Sequence, residues 1–161
     1  MSDWQHRVDA VWADAGECEP DAVVTAIDAL VAERAPTDAV ALFEAAGARD
    51  FAGRETEAEP LYRRALETGL PEPQRAQAVI QLASTLRNLG RAGESVALLR
   101  EELAAHPEHP LSGAAQAFLA LALHDTGDST GALHAALRVA ASGLPQYGRA
   151  VASYADDLTT R

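Results

Sequence analysis

The chain has 161 residues, with 24 acidic residues against 13 basic ones, all of them arginine, and a formal net charge of −11. This length fits one domain, and an acidic surface repels phosphate backbones and anionic lipid heads, so we expect neither nucleic acid nor a membrane as a partner. Cys18 is the only cysteine, which excludes an intrachain disulfide, and no apolar run approaches the roughly 20 residues that span a bilayer, so we expect a cytoplasmic protein.

Residues 1–35 predict a pair of helices. Ser2 can cap the first helix, and Pro20 suits the first turn of the second. Gly16 lies 37 residues before Gly53, a glycine that closes a later turn, so this pair is interpreted as a possible degenerate repeat. Apolar residues at helical spacing are Trp4, Val8, Val11 and Trp12 in the first helix and Val23, Val24, Ile27, Leu30 and Val31 in the second.

Residues 37–145 predict three units of helix, tight turn, helix and break, with a period of 37 residues. Gly53, Gly90 and Gly127 each stand between two helix-like segments, where a glycine can end a helix in the left-handed conformation. Each second helix ends near a proline, which cannot continue a helix because it lacks an N–H and clashes with the preceding turn. These prolines are Pro71, Pro107 and Pro145.

Pro60 lies inside the second helix of the first unit, so we expect either a kink or a late helix start at the capping-box pattern of Thr56 and Glu59.

Residues 146–158 predict a final amphipathic helix. Its apolar residues are Tyr147, Val151, Tyr154 and Leu158, and its polar face includes Arg149, Ser153 and Asp157.

The register of the three units resembles the tetratricopeptide repeat (TPR) family, whose pattern is W-x2-L-G-x2-Y, then A-x3-F, A and P. The resemblance implies an all-α fold: a right-handed superhelix, or α-solenoid, of antiparallel helix pairs with a C-terminal capping helix. Within the family the chain is similar to short stand-alone bacterial proteins. The matching residues are Leu42, Ala45, Ala46, Ala58, Tyr62 and Ala65 in the first unit, Val79, Leu82, Ala83, Leu86, Ser95 and Leu99 in the second, and Leu119, Ala120, Leu123, Ala132 and Val139 in the third.

Four positions depart from the family pattern. Arg49 stands at the aromatic position of the first unit, and Glu102 replaces a small residue in the second. Gln116 and Ala136 occupy places for large apolar residues in the third unit. These departures leave the expected fold intact but bear on the angles between repeats.

In the TPR family the first helix of each repeat lines a concave groove that binds a partner. The resemblance therefore implies a partner-binding groove lined by Phe43, Asp50, Gln77, Gln81, Ser84, Arg87, Asn88, Phe118, Leu121, His124 and Asp125. Arg87 has two interpretations. Its guanidinium could bind a carboxylate of a partner, or it could pair with an acid of this chain such as Asp50 or Asp125, and the acidic excess favours the internal pair.

Four aromatic residues near the two ends of the chain could either dock a partner or a second copy, or cap the repeat stack. Trp4 and Trp12 lie on or near one helix face, and Tyr147 and Tyr154 face the same choice. Aromatic residues favour interfaces, but a repeat stack must also cover its apolar ends. We expect all four to cap the ends, and a homodimer through a terminal helix is the alternative.

The sequence offers little that predicts catalysis. His106 and His109 flank Glu108, but they lie in a proline-bounded linker with no third or fourth ligand nearby, so we expect no metal site. Phosphate-binding, zinc-protease and nucleophile-elbow motifs are missing, and we expect no catalytic residues and no cofactor.

The expected function is a non-enzymatic module that binds a peptide or a partner protein in the groove. One alternative is a self-assembling structural protein that forms a homodimer through its terminal helices, and an enzyme with an unrecognised site is the third.

Overall fold

A computed structural model describes residues 2–160 and, within them, contains helices and no strand. A 3-10 helix, Ala15–Glu17, joins the first two α-helices. The α-helices are α1 Asp3–Asp14, α2 Pro20–Val31, α3 Ala39–Phe51, α4 Glu55–Glu67, α5 Gln74–Asn88, α6 Ala92–Ala105, α7 Ser112–Asp125, α8 Ser129–Gly143 and α9 Gly148–Leu158.

The chain divides into two compact units, and the boundary between Thr85 and Leu86 falls inside α5. In the first unit α1 packs on α2, α2 on α3, and α3 on α4. In the second unit α6 packs on α7, α7 on α8, and α8 on α9. This packing of each helix on its neighbour in sequence is the arrangement of a helical repeat protein, and it confirms the predicted all-α class of helix pairs.

The N-terminal helix pair covers one end of the first unit. The Ser2 side chain accepts a hydrogen bond from the Gln5 N–H, as predicted for the α1 cap. Trp4 is buried and its Nε1 donates to the Leu30 carbonyl at 2.8 Å, while the Arg34 guanidinium lies 5.0 Å from the centre of the Trp4 ring. Trp4 therefore packs internally, as the capping interpretation expected.

The link between α1 and α2 differs from the glycine turns of the later repeats. Gly16 lies in the 3-10 helix and is not one of the glycines with positive φ. The position of this glycine matches the period, but its backbone conformation does not. A degenerate repeat at residues 1–35 stays a prediction.

The three periodic glycines close their turns in the predicted conformation. The φ angles of Gly53, Gly90 and Gly127 are 69°, 76° and 86°. In each turn the residue after the glycine donates its N–H to the carbonyl five residues before it, as in a Schellman C-cap. These bonds run from Arg54 to Arg49 (2.8 Å), from Arg91 to Leu86 (2.9 Å) and from Asp128 to Leu123 (3.0 Å).

Of the two alternatives predicted for the helix containing Pro60, the late start is wrong and the kink stays a prediction. α4 begins at Glu55, directly after the turn, and continues past Pro60 to Glu67. Pro60 is exposed and lies in the second turn of α4, so the missing N–H removes a single donor, the one that would bond the carbonyl of Thr56. The helix accommodates this loss because its other face is anchored by the buried Ala58 and Tyr62.

The final helix forms as predicted, but its packed face is misassigned. Tyr147 and Tyr154 are 78% and 71% exposed, so the prediction that they cap the repeats is wrong. Ala155 is the buried residue of α9, with Val151 and Leu158 half-buried on the same face. A small alanine lets α9 approach α8 closely, and a face centred on Ala155 turns Tyr154 to solvent.

Arg49 replaces an aromatic ring with ion pairs. Its guanidinium donates through both terminal nitrogens to Asp28 of α2, at 2.9 and 3.0 Å, and also to the Ala45 carbonyl of its own helix. Its Nε lies 3.7 Å from the carboxylate of Glu57 in α4. Arg49 thus links α2, α3 and α4 by charge where the family pattern uses an apolar ring.

Candidate functional site

The first-repeat part of the predicted groove lies on α3, and most of it is closed. Phe43 is buried, with its ring centre 6.2 Å from that of Tyr62. Phe43 therefore cannot contact a partner directly, because its ring is buried between helices. Gly47 faces the ring of Trp12, which α1 places against this surface.

Glu44 is a buried acid on the same helix. Its Oε2 accepts a hydrogen bond from Nε1 of Trp12 at 2.7 Å. Burial raises the pKa of Glu44, and the nearby charge of Asp9 adds to the rise, while the hydrogen bonds from Trp12 and Gln5 lower it. Trp12 therefore helps to hold α1 on α3 through a polar contact inside the first unit.

Asp50 is also held inside the first unit. Its carboxylate accepts a hydrogen bond from the Thr85 hydroxyl at 3.1 Å and a longer one from the Tyr62 hydroxyl at 3.4 Å. Burial raises the pKa of Asp50 despite the opposing bond from Thr85, and the charge of Glu55 raises it further. The structure thus assigns Asp50 to a contact between α3, α4 and α5.

The first-unit part of α5 contributes three predicted groove residues with different surroundings. Gln77 is exposed, whereas Gln81 and Ser84 are half-buried. The Gln81 side-chain oxygen is buried and has no hydrogen-bond partner among the described residues. The Gln81 carbonyl oxygen lies 2.9 Å from the Thr85 hydroxyl, so the single hydroxyl proton is shared between Asp50 and the α5 backbone.

Arg87 and Asp125 form an ion pair within the second unit. Nε of Arg87 lies 2.6 Å from Oδ2 of Asp125, which sits at the end of α7. The structure therefore shows the internal pairing that the acidic composition favoured. Asn88 follows at the end of α5 and is exposed.

The third-repeat part of the predicted groove is open and apolar. Ala114, Ala117 and Leu121 are exposed on α7, and Phe118 is half-buried beside them. Ala114, Ala117, Phe118 and Leu121 are spaced by three, one and three residues, so they lie on one helix face, which we call the α7 stripe. Leu121 is 47% exposed, which is high for a large apolar side chain. His124 and Asp125, both exposed, border the C-terminal end of the stripe.

Sequence reasoning missed two residues that control these positions. It assigns Trp12 to capping or docking, but not to the role of donor to Glu44. It assigns no function to Thr85, although this residue is fully buried and bonds Asp50. Polar residues at inward helical positions are a signal for such contacts, but their partners lie on other helices and cannot be read from spacing alone.

No group of three or more His, Cys, Asp or Glu residues in the described range 2–160 is placed to hold a metal ion. Nδ1 of His106 lies 3.4 Å from Glu102, and Nδ1 of His109 accepts the N–H of Leu111 at 3.1 Å. Both imidazoles thus make local contacts at the α6–α7 link. None of the helices in this range combines the length and the apolar character needed to cross a membrane.

Comparisons with known proteins agree with the helix-pair architecture. A family model described as "Tetratrico peptide repeat" matches residues 39–158. A crystal structure of a Podosopora anserina protein assigned as a kinesin light chain, with nearly identical TPR-like repeats, is 20% identical over 97% of this chain and 86% of that one, with a TM-score of 0.74. A single-residue variant of that protein is 19% identical over 99% of this chain and 89% of that one, with a TM-score of 0.75. No curated protein matches the chain in sequence.

Proposed function

Because the chain belongs to the tetratricopeptide repeat family, whose members generally mediate protein–protein interactions, we propose that it is a non-enzymatic binding module whose partner docks on the α7 stripe. The observation that carries this proposal is the accessibility of Ala114, Ala117, Phe118 and Leu121 in a single helical row. An apolar row of this kind suits the apolar side of a partner helix or an extended peptide.

The two parts of the expected groove support this choice of surface. On α3, Phe43 and Glu44 are buried and Asp50 is bonded internally, so a partner would have to displace existing contacts. On α7, the apolar side chains of Phe118 and Leu121 face no such cost. Binding energy is therefore available mainly on the α7 stripe, since covering exposed apolar surface is favourable.

Arg87 and Asp125 can add specificity at one end of the stripe. Asp125 lies four residues after Leu121 and so continues the same helix face. The ion pair is partly exposed, so salt and solvent weaken it and a charged group of a partner can compete for either member. This arrangement favours a partner with apolar residues followed by one charged residue.

The test is quantitative capture of partners from a lysate of the native organism by wild-type and variant protein. Leu121→Gln should retain at least about fivefold less partner, because a central apolar contact at an interface contributes about 1 kcal/mol or more. Leu133→Gln is the matched control, since Leu133 is 50% exposed but lies on α8. The proposal fails if the two variants retain the same proteins in the same amounts.

A second candidate function, self-assembly through the terminal helix, is favoured by one observation. Tyr154 projects from α9 with most of its ring exposed, and aromatic side chains are enriched in interfaces. Sedimentation velocity on wild type and on Tyr154→Ser separates this candidate from the first. A dimer that Tyr154→Ser dissociates would support self-assembly, whereas a wild-type monomer would reject it.

A further inference from the structure

The second unit contains a cleft that no sequence pattern indicated. It lies between the beginning of α7, the end of α8 and the beginning of α9, and the connecting segment that contains Leu144 and Tyr147 forms one wall. We call it the α8–α9 cleft. It uses a different face of α7 from the α7 stripe, because Ser112 and Gln116 line the cleft whereas Ala117 and Leu121 form the stripe.

Charge distinguishes this cleft from the rest of the surface. Arg138 and Arg149 line it, and no acidic residue does so among the described residues. This is unusual for a chain in which acidic residues outnumber arginines 24 to 13. Arg138 touches the cleft while it also contacts Asp156 at 3.3 Å, and Arg149 makes no hydrogen bond or ion pair within residues 2–160. Because Asp156 already compensates Arg138, the positive character of the cleft comes mainly from Arg149.

One departure from the repeat pattern, Gln116, lies in the lining of the cleft. Leu42 and Val79 occupy equivalent positions one period apart and are buried, whereas the third equivalent, Gln116, is half-buried and lines the cleft. The third repeat thus has a polar amide side chain where the first two repeats have a buried apolar one. The amide N–H and C=O of Gln116 can form hydrogen bonds with a peptide backbone.

The wall of the cleft holds an aromatic side chain in a strained conformation. Tyr147 has φ 65°, in the left-handed region that non-glycine residues seldom adopt. The next position, 148, requires glycine, since a Cβ on residue 148 would lie 2.5 Å from the Ala141 carbonyl oxygen. The turn therefore presents the ring of Tyr147 to solvent instead of packing it. Strain of this kind is often kept at binding sites.

We propose that the α8–α9 cleft binds an extended acidic peptide of a partner protein. Arg138 and Arg149 would pair with its carboxylates, Gln116 would bond its backbone, and Leu144 and Tyr147 would cover an apolar side chain between the acids. The cleft volume of about 1100 Å³ leaves room for a segment of extended peptide. Charge complementarity selects an acidic peptide over a basic one.

The experiment measures fluorescence anisotropy with a labelled peptide of about ten residues in which Glu alternates with Leu and Ala. Versions with Gln or Lys in place of Glu test the sign of the charge. The wild-type protein should bind the Glu peptide more tightly than the Gln peptide and the Lys peptide least of all. Arg149→Gln should weaken binding of the Glu peptide about three- to tenfold, because a charge-assisted contact is lost.

Matched variants keep the test specific. Arg100→Gln removes another exposed arginine, on α6 and outside the cleft, and it should leave the affinity unchanged. Tyr147→Gly keeps the left-handed turn but removes the ring, so it should weaken binding without lowering the thermal midpoint. Leu121→Gln should leave peptide binding intact, which separates this cleft from the α7 stripe.

Several outcomes would overturn the proposal. They are equal affinity for the Glu and Gln peptides, equal losses in Arg149→Gln and Arg100→Gln, loss of binding in Leu121→Gln, and no measurable binding of the Glu peptide. Sedimentation velocity without peptide tests a second copy as the occupant. An oligomer that Arg149→Gln dissociates would assign the cleft to self-association and also overturn the peptide proposal.

Discussion

At the scale of single residues, Glu44 shows how burial couples one carboxyl group to the stability of the first unit. The Trp12 N–H satisfies one oxygen of Glu44, but the group still loses solvation when the chain folds. Its pKa is therefore higher in the folded state than in the unfolded state. A raised pKa contributes stability that is fully present below the unfolded value, 4.5, and is lost as the pH rises through the folded value.

The variant Glu44→Gln tests this linkage. Glutamine keeps an oxygen that can accept the Trp12 N–H and removes the charge, so the variant should be more stable than the wild type at about pH 8. The advantage should shrink as the pH falls and disappear below about 4.5, where the wild-type carboxyl is protonated in both states. Urea denaturation of both proteins at several pH values measures the difference.

A second variant keeps that experiment decisive. Glu44→Ala leaves the Trp12 N–H without its acceptor, so it should be less stable than Glu44→Gln by about 1–3 kcal/mol at every pH. A constant offset between wild type and Glu44→Gln over the whole pH range would contradict the linkage, since it would mean that burial does not shift the protonation of Glu44.

At the scale of helices and turns, the repeated glycine turn is the element that sets the hairpin of each repeat. The turn needs φ > 0 after each first helix, and the bond from the following residue back across five residues recurs with the 37-residue period. An L side chain in this conformation brings its Cβ close to the following carbonyl oxygen. Local geometry therefore accounts for the placement of these glycines.

Gly90→Ala tests the turn. Alanine at φ 76° should lower the free energy of unfolding by about 1–2 kcal/mol, measured by urea denaturation. Gly93→Ala is the matched control, because Gly93 lies in α6 without a positive φ and with open space around its Cβ position. The control should be neutral or stabilising by up to about 1 kcal/mol, since alanine is the better helix former. Equal destabilisation by both would argue against a special role of the turn.

At the scale of the whole molecule, burial is distributed unevenly along the chain. α3 contributes seven buried residues, whereas α8 contributes only Ala135 and Ala141 and α9 only Ala155. In repeat proteins each helix is stabilised by its neighbours in sequence, so a thinly packed helix has a low cost of local opening. Stability should therefore differ between the two compact units.

Hydrogen exchange measured by mass spectrometry tests this difference. Amides of α3 should exchange at least about tenfold more slowly than those of α8 and α9, although all three helices have internal backbone hydrogen bonds. Because hydrogen bonding is the same, the rate difference reports packing. Equal protection of α3 and α9 would contradict the prediction.

The candidate site could be predicted only in part. The family register correctly placed Leu121 and Phe118 together on one face of α7, because helical spacing is a local property. It also placed Phe43 and Asp50 in the groove. It did not predict that these two side chains make internal contacts, because their partners, Tyr62 and Thr85, lie on other helices. The α8–α9 cleft was not predicted, since three helix ends form it.

The amino-acid sequence by itself determined the helical class, the 37-residue period and the three glycine turns. These features depend on backbone conformation and on the spacing of apolar residues, which act over a few residues. Only the tertiary structure decided how long-range partners meet, such as Trp12 with Glu44 across 32 residues and Arg87 with Asp125 across 38. It also decided that Ala155, and not Tyr154, is buried against α8, because the rotation of a helix about its axis depends on the surface that it packs against.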